Sequence, residues 1–371
     1  MPPMPRPHPN PFTASFGVPS AITYVGRQRE LTEFLQGLAE YPGSTQRAIT
    51  IAGPRGVGKT SLLTVMMDHA KQEGWITTSV TAGPGVAERI LDKAALQAET
   101  LLEPEPRRRL TGISLAGFSL QSQTIPKDTP SWWRRVNSLL DVLEAHDSGL
   151  VIAIDEIHRN ETELRPLFQQ YQELVNDRRN IAIVMAGLPD AVDSVLSEYA
   201  LTFVQRAWRQ TLGAVNLDLI EQAYINAISQ SGKHISADVA RYAAQQSEGF
   251  PYLYQLIGYF AWRAAEASAE ITLPDIKAAI PLAQATAGQN LYGLEVGALS
   301  PRERQFLDAL ADTSGTATIK DIAAKLGITE NNAYYYRNRL AARGLVQPIA
   351  PGGMRFTSLA LRDYLRNQVQ N

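Results

Sequence analysis

Two rhythms of apolar and polar positions run along this chain, and the change between them falls near residue 214. Before it, short apolar runs alternate with helical stretches. Ala48 to Ile51, Trp75 to Val80, Leu150 to Ile154 and Ile181 to Ala186 read as strands, and Arg209 to Leu212 as a further one. Unbroken apolarity in Leu150 to Ile154 is the pattern of a strand covered on both faces. Gln28 to Ala39, Ser61 to Ala70, Val86 to Leu102, Ser131 to His146 and Leu164 to Asn176 have helical periodicity, with Pro166 tolerable in a first turn. Strands alternating with helices predict a parallel, doubly wound α/β sheet.

Beyond Ala214 the long strands stop. Leu217 to Ser231, Ser236 to Ser247, Pro251 to Ala267 and Leu273 to Gln284 predict a small all-α domain, with Ala285 to Ala298 as a connector. Arg302 to Ala311, Ile319 to Leu326 and Glu330 to Arg343 then read as three helices. Leu345 to Ile349 and Met354 to Thr357 read as a hairpin turning at Pro351-Gly352-Gly353. Three helices followed by a hairpin is the order of a winged helix-turn-helix. Ile113 to Leu120 alternate around Ala116-Gly117 as an inserted hairpin, either an edge decoration or a contact element behind Arg107-Arg108-Arg109.

Composition changes this picture little. The chain has 371 residues, 44% hydrophobic and 19% charged, enough for two or three globular domains. Net charge is −2, which excludes a polycation. From Ser300 onward the balance is ten basic to six acidic residues, a weak basic bias. There is no cysteine, so disulfides and thiolate metal sites are excluded; the five histidines form no ligand-spaced pair. Six prolines among the first eleven residues predict an extended, poorly ordered arm; the alternative is a short segment packed along the ATPase surface and anchored by Pro11-Phe12 and Phe16. No apolar run reaches membrane length and no signal-peptide core is evident, so a cytoplasmic protein with no membrane partner is expected.

Candidate chemistry centres on Gly53-Pro54-Arg55-Gly56-Val57-Gly58-Lys59-Thr60, a full match to the G-x-x-x-x-G-K-[ST] phosphate-binding loop. A strand before it and a helix from Ser61 after it are the context the motif needs. Backbone N–H groups and the helix N-terminus suit phosphate oxygens. Lys59 can reach the outer phosphates, and Thr60 can ligate Mg²⁺. A second motif, Leu150 to Glu156, brings two carboxylates to a strand's C-terminal end. Asp155 would hold Mg²⁺ and Glu156 would activate or position the attacking water. ATP or ADP with Mg²⁺ is the cofactor set this predicts.

With these motifs in place the chain resembles AAA+ ATPases. Tyr24-Val25-Gly26-Arg27-Gln28-Arg29-Glu30-Leu31 is similar to the F-x-G-R-x-x-E-L stretch of the origin-recognition and archaeal initiator-type clade and of the related STAND ATPases. The resemblance is nearer still to uncharacterised actinobacterial-type ATPases with a C-terminal winged helix. Asn10-Pro11-Phe12, Asp155-Glu156-Ile157-His158, Met185 to Pro189, Thr202 to Ala207, Gly249 to Tyr259 and Arg355 to Leu365 carry it. It implies that Val25, Gly26 and Arg27 lie over the adenine, and that Arg206 supplies an arginine finger to a neighbour's γ-phosphate. A structural ion pair is the alternative for Arg206. Pro251 and Tyr252 start the lid helix beside the nucleotide, where many relatives carry a phosphate-contacting arginine; packing is the alternative for Tyr252. Ala186 and Gly187 offer no polar sensor, so slow hydrolysis and a switch rather than a motor are expected. His158 is assigned no chemistry.

The division that follows is a proline-rich arm (1–20), an AAA+ α/β domain (21–214, hairpin insertion about 110–125), a helical lid (215–285), a linker (286–299) and a winged helix-turn-helix (300–371). On the second helix of the last, Asn331, Tyr335 and Arg339, with Asn332 beside them, are types that read base edges. Protein-only packing of that face stays open. The expected function is an ATP-controlled switch that self-associates and binds or loads onto duplex DNA. The alternatives are a STAND-like signalling or defence ATPase with an unknown protein partner, or a mobile-element target-selection ATPase.

Overall fold

A computed structural model describes residues 9–14, 24–102, 131–158, 162–198, 205–313, 315–349 and 352–369. The predicted hairpin about 110–125, Arg107 to Arg109, Phe16 and Thr202-Phe203 lie outside the described residues. The chain divides into two units.

One unit, residues 27–52 and 59–211, is built on a five-stranded sheet. Its elements are α1 (Gln28–Ala39), β1 (Ala48–Ala52), α2 (Lys59–Gln72), β2 (Ile76–Thr81), α3 (Val86–Leu102), α4 (Trp132–Glu144), β3 (Leu150–Ile157), α5 (Leu164–Asn176), β4 (Ile181–Gly187), α6 (Pro189–Glu198) and β5 (Trp208–Thr211). Every pairing is parallel, in the order β2-β3-β4-β1-β5. Leu150 to Ile154 and all of β4 are buried at successive positions, so both faces of the sheet centre are covered. Arg47 shows how α1 is tied to the sheet. Its buried guanidinium donates to the carbonyls of Gly37, Leu38 and Glu40 and to Asn180 Oδ1. Carbonyls that α1 leaves without intrahelical donors are thereby satisfied, and α1 is joined to the start of β4.

The other unit comprises residues 1–26, 53–58 and 212–371. It contains α7 (Leu217–Gln230), β6 (His234–Ile235), α8 (Ala237–Gln246), α9 (Pro251–Ala264), β7 (Glu270–Ile271), α10 (Leu273–Gly297), α11 (Pro301–Ala311), β8 (Thr316–Thr318), α12 (Ile319–Leu326), α13 (Glu330–Ala342), β9 (Val346–Ile349), β10 (Gly353–Phe356) and α14 (Leu359–Val369). Polar residues placed just before apolar runs start many of these helices. Asn216, Ser236, Ser300, Thr318 and Thr329 each accept a backbone N–H of the following turn, and Thr272, Ser300 and Thr318 form full capping boxes.

The stretch 286–299, expected as a linker, is helical as far as residue 297. α10 runs unbroken to Gly297 and is a single 25-residue helix. Its buried Ala283 and Ala287 belong to a core built with α7, α8 and α9, whereas Tyr292 and Val296 belong to a second core with α11, α12 and α13. Splitting its buried face between two cores blurs the periodicity, and Gly288 and Gly293 lower the local propensity. A third strand, β8, joins the hairpin in an antiparallel β8-β10-β9 sheet, and α14 buries Leu361 and Leu365 against the same core. Ile322 and Leu340 are fully buried there, with Leu326 and Ile328 packed partly against them.

Near the N-terminus the described residues are held by an apolar anchor. Phe12 is 3% exposed, with Tyr224 and Tyr254 rings 5.7 and 5.6 Å away. It lies over Gly258, where a Cβ would meet the ring at 2.6 Å, so a bare backbone is needed for the approach. Asn10 Nδ2 donates to Tyr259 O, and the Thr13 N–H donates to Gln255 Oε1. Phe12 is thus an anchor, as expected, but it packs on α7 and α9 of the helical unit, where the expected alternative was the ATPase surface.

Candidate functional site

In the sheet unit, β3 delivers Asp155 and Glu156 and α2 delivers Lys59 and Thr60. Thr60 Oγ1 donates to Asp155 Oδ2 at 2.6 Å. The Glu156 N–H donates to Asp155 Oδ1 at 2.8 Å. Between Ile154 and Ile157 the register of β3 on β4 jumps, and within that bulge Glu156 takes φ +54°. Asp147, Arg178 and Glu248 also have positive φ, but each follows a helix C-terminus, where a left-handed residue is the ordinary stop. Glu156 has no such reason; its side chain is exposed. A hydroxyl and a carboxylate 2.6 Å apart are hard oxygen donors that fit Mg²⁺ sharing its shell with phosphate oxygens. Among the described residues no cluster of three or more His, Cys, Asp or Glu could hold a metal alone.

Within the other unit, Gly53 to Gly58 forms a turn with φ +75° at Gly56 and +93° at Gly58, conformations open to glycine. The Tyr252 N–H donates to Gly56 O at 3.3 Å. Pro251 Cγ lies 3.6 Å from where a Gly58 Cβ would be. Pro251 and Tyr252, expected near nucleotide, are thus placed against the loop that would hold it. The Tyr252 hydroxyl donates to Ala14 O and accepts from Asn290 Nδ2. Burial raises its pKa, and the Asn290 hydrogen bond offsets part of that. Arg55 donates to Glu295 Oε1 at 2.7 Å. Gly56 also lines a small cavity with Glu248, Phe250, Tyr252, Leu291 and Ser358. Burial pushes the Glu248 carboxyl up to about 7, helped by Asp363 and opposed by Arg362. Sequence reasoning missed Glu248, Asn290 and Glu295; the last two lie in the stretch read as linker, with no motif to mark them.

Val25 packs partly on the helical core. Arg27 is 7% exposed and lies 3.8 Å from Glu30. Arg206 is exposed, ahead of β5. Ala186 and Gly187 are buried in β4 and present no polar side chain. His158 is exposed. On α13, Asn331, Asn332, Tyr335 and Arg339 are all exposed. Arg339 is nevertheless engaged: Nε donates to Glu303 Oε1 at 2.8 Å and a terminal nitrogen donates to the Tyr335 hydroxyl at 2.9 Å. Glu303 is 1% exposed. Burial alone would raise its pKa, but hydrogen bonds from Ser300 and Arg339 outweigh it and the net shift is downward. Arg337 lies over the Tyr334 ring, 4.8 Å from its centroid.

Comparison with known proteins places the sheet and its loop. Residues 23–184 match the family model described as AAA ATPase domain. Residues 289–365 match a family described as a domain of unknown function. A Walker-type ATPase of Pyrococcus abyssi is similar in structure, with 15% identity over 92% of this chain and 96% of its own and a TM-score of 0.65. The ORC2 protein of Aeropyrum pernix, solved as ADPNP–ADP complexes, has 13% identity over 94% and 98%, with a TM-score of 0.60. At such identities these likenesses speak for the fold. No curated protein matches the chain. The AAA ATPase domain match covers the phosphate loop and the Asp155-Glu156 strand, and it supports a nucleotide-binding ATPase. No helix among the described residues is long and apolar enough to cross a membrane.

Proposed function

We propose that the chain is a slow ATPase switch of the AAA+ type that self-associates with ATP between subunits and engages duplex DNA through its C-terminal module. One observation carries the ATPase part: the Thr60 hydroxyl, fixed by the phosphate-loop sequence, meets Asp155 at the end of a buried strand at 2.6 Å. Lys59 would bind the outer phosphates, and Thr60 and Asp155 would hold Mg²⁺. The metal would neutralise phosphate charge. Glu156, raised out of the strand by the bulge, would accept the proton of the attacking water. Val25, Gly26 and Arg27 would flank the base, and Arg206 would reach a neighbour's nucleotide. Buried Ala186 and Gly187 support slow turnover, because no sensor amide stands there.

For the C-terminal module, residues 300–371, we favour a winged helix-turn-helix with α13 as the recognition helix. Asn331, Asn332 and Tyr335 would face DNA, while phosphate attraction by so small a positive charge would be weak and salt-sensitive. A second reading has its own support. Arg339 is committed to a buried carboxylate, which favours a module that contacts protein only, as in STAND-like switches. Sedimentation with ATP, ADP or no nucleotide, with and without duplex DNA, separates the two. ATP-dependent assembly that retains DNA supports the first reading or mobile-element target selection; assembly that ignores DNA at low salt supports the second.

A further inference from the structure

We propose that Glu295 is a positioning residue for the phosphate loop, acting through Arg55 to tie nucleotide affinity to the helix that enters the C-terminal module. The proposal rests on the ATPase reading above. Arg55 sits inside the motif, between Pro54 and Gly56, and its terminal nitrogen donates to Glu295 Oε1 at 2.7 Å. Glu295 projects from the last turns of α10. One turn earlier on that helix, Leu291 Cδ1 comes within 3.0 Å of where a Gly56 Cβ would stand. Asn290, beside it, donates to the Tyr252 hydroxyl, and the Tyr252 N–H donates to the Gly56 carbonyl. Three consecutive features of α10 therefore converge on the tip of the loop: an ion pair, an apolar contact and a relay through Tyr252.

The same last turns of the helix are rooted in the C-terminal core. Tyr292 and Val296 are buried among α11, α12 and α13 residues, and Gln289 accepts a hydrogen bond from Tyr364 of α14. A loop whose N–H groups must converge on phosphate gains affinity from being held in shape beforehand. Any shift of α10 that separates Glu295 from Arg55 loosens that shape. By linkage, nucleotide on the loop biases α10 by the same free energy. Both side chains of the pair are about one third exposed, 31% and 32%, so neither substitution below strands a buried charge.

The test is a double-mutant cycle on the full chain with Arg55→Gln, Glu295→Gln and the pair, read by titration of ADP and ATP and by hydrogen exchange of residues 287–297. Each single variant should weaken nucleotide binding roughly three- to tenfold, and the double variant should be no weaker than either single. A merely structural role of Glu295 in α10 would add to the Arg55 effect, giving the product of the two losses. In the parent, ADP should slow exchange in 287–297, and Glu295→Gln should abolish that slowing while leaving the protection of α2 by ADP in place. Multiplicative losses, or Glu295→Gln binding as tightly as the parent or tighter, would overturn the proposal. Should the parent and Lys59→Ala both fail to bind nucleotide, the ATPase reading falls and carries the role of Glu295 with it.

Discussion

Replacing Glu156 by glycine should make the protein more stable and catalytically silent at once. The residue holds φ +54° inside a strand bulge, a conformation that costs an L-residue roughly 1–2 kcal/mol. Glycine removes that cost but adds roughly 0.5–1 kcal/mol of unfolded-chain entropy. The net gain is therefore about 0–1.5 kcal/mol, which corresponds to a rise in Tm of up to about 6 °C for a unit of this size. Glu156→Gln is the control, since it keeps the side-chain shape and the strained backbone and should leave Tm where it is. Both variants should lose hydrolysis by about 10²- to 10⁴-fold, the range of a general base, while retaining ATP. Thermal denaturation and phosphate release decide the matter. If Glu156→Gly melts below Glu156→Gln, the bulge stores no strain at that residue. If either variant hydrolyses ATP at the parent rate, Glu156 does not activate water.

Further expectations concern the other unit. Glu248 titrates at about 7 in the folded chain, against about 4.3 in a free side chain, so the folded state holds the proton more tightly. Its contribution is fully present below about pH 4.3 and is lost as pH rises through about 7; Glu248→Gln should thus out-melt the parent at pH 8 and lose that advantage at pH 5. Arg339→Ala should lower Tm, because it leaves the 1% exposed Glu303 carboxylate without its charged partner, and an unchanged Tm would free Arg339 for a purely recognition role. Phe12→Ala should cost about 3 kcal/mol in denaturant unfolding if the N-terminal segment is an integral anchor, and near zero if it is not.

Much of the ATPase unit was legible because its signals are local. A phosphate loop, an apolar strand ending in two carboxylates and the short runs that alternate with helices each declare themselves within ten residues, and the structure puts Thr60 on Asp155 as the motifs require. The bulge that lifts Glu156 was not legible, since it is a property of register against β4 rather than of composition. The continuity of α10 was hidden for a different reason. Its two ends serve different cores, so no single hydrophobic face runs its length, and glycines at 288 and 293 lower its helix propensity. Glu295 was invisible because its partner lies 240 residues away. The exposed face of α13 was correctly read as exposed, yet Arg339 could be recognised as tied to Glu303 only once α11 was packed beside it.

Titration of ATP with Mg²⁺ into the full chain and into Lys59→Ala bears most directly on the claim that the loop from Gly53 to Thr60 holds nucleotide. The account predicts saturable binding of one nucleotide per chain in the parent and in Glu156→Gln. It predicts at least a tenfold loss in Lys59→Ala, and weakened Mg²⁺ dependence when Thr60 becomes alanine. A parent that binds no ATP, or a Lys59→Ala variant that binds it equally well, would contradict the account.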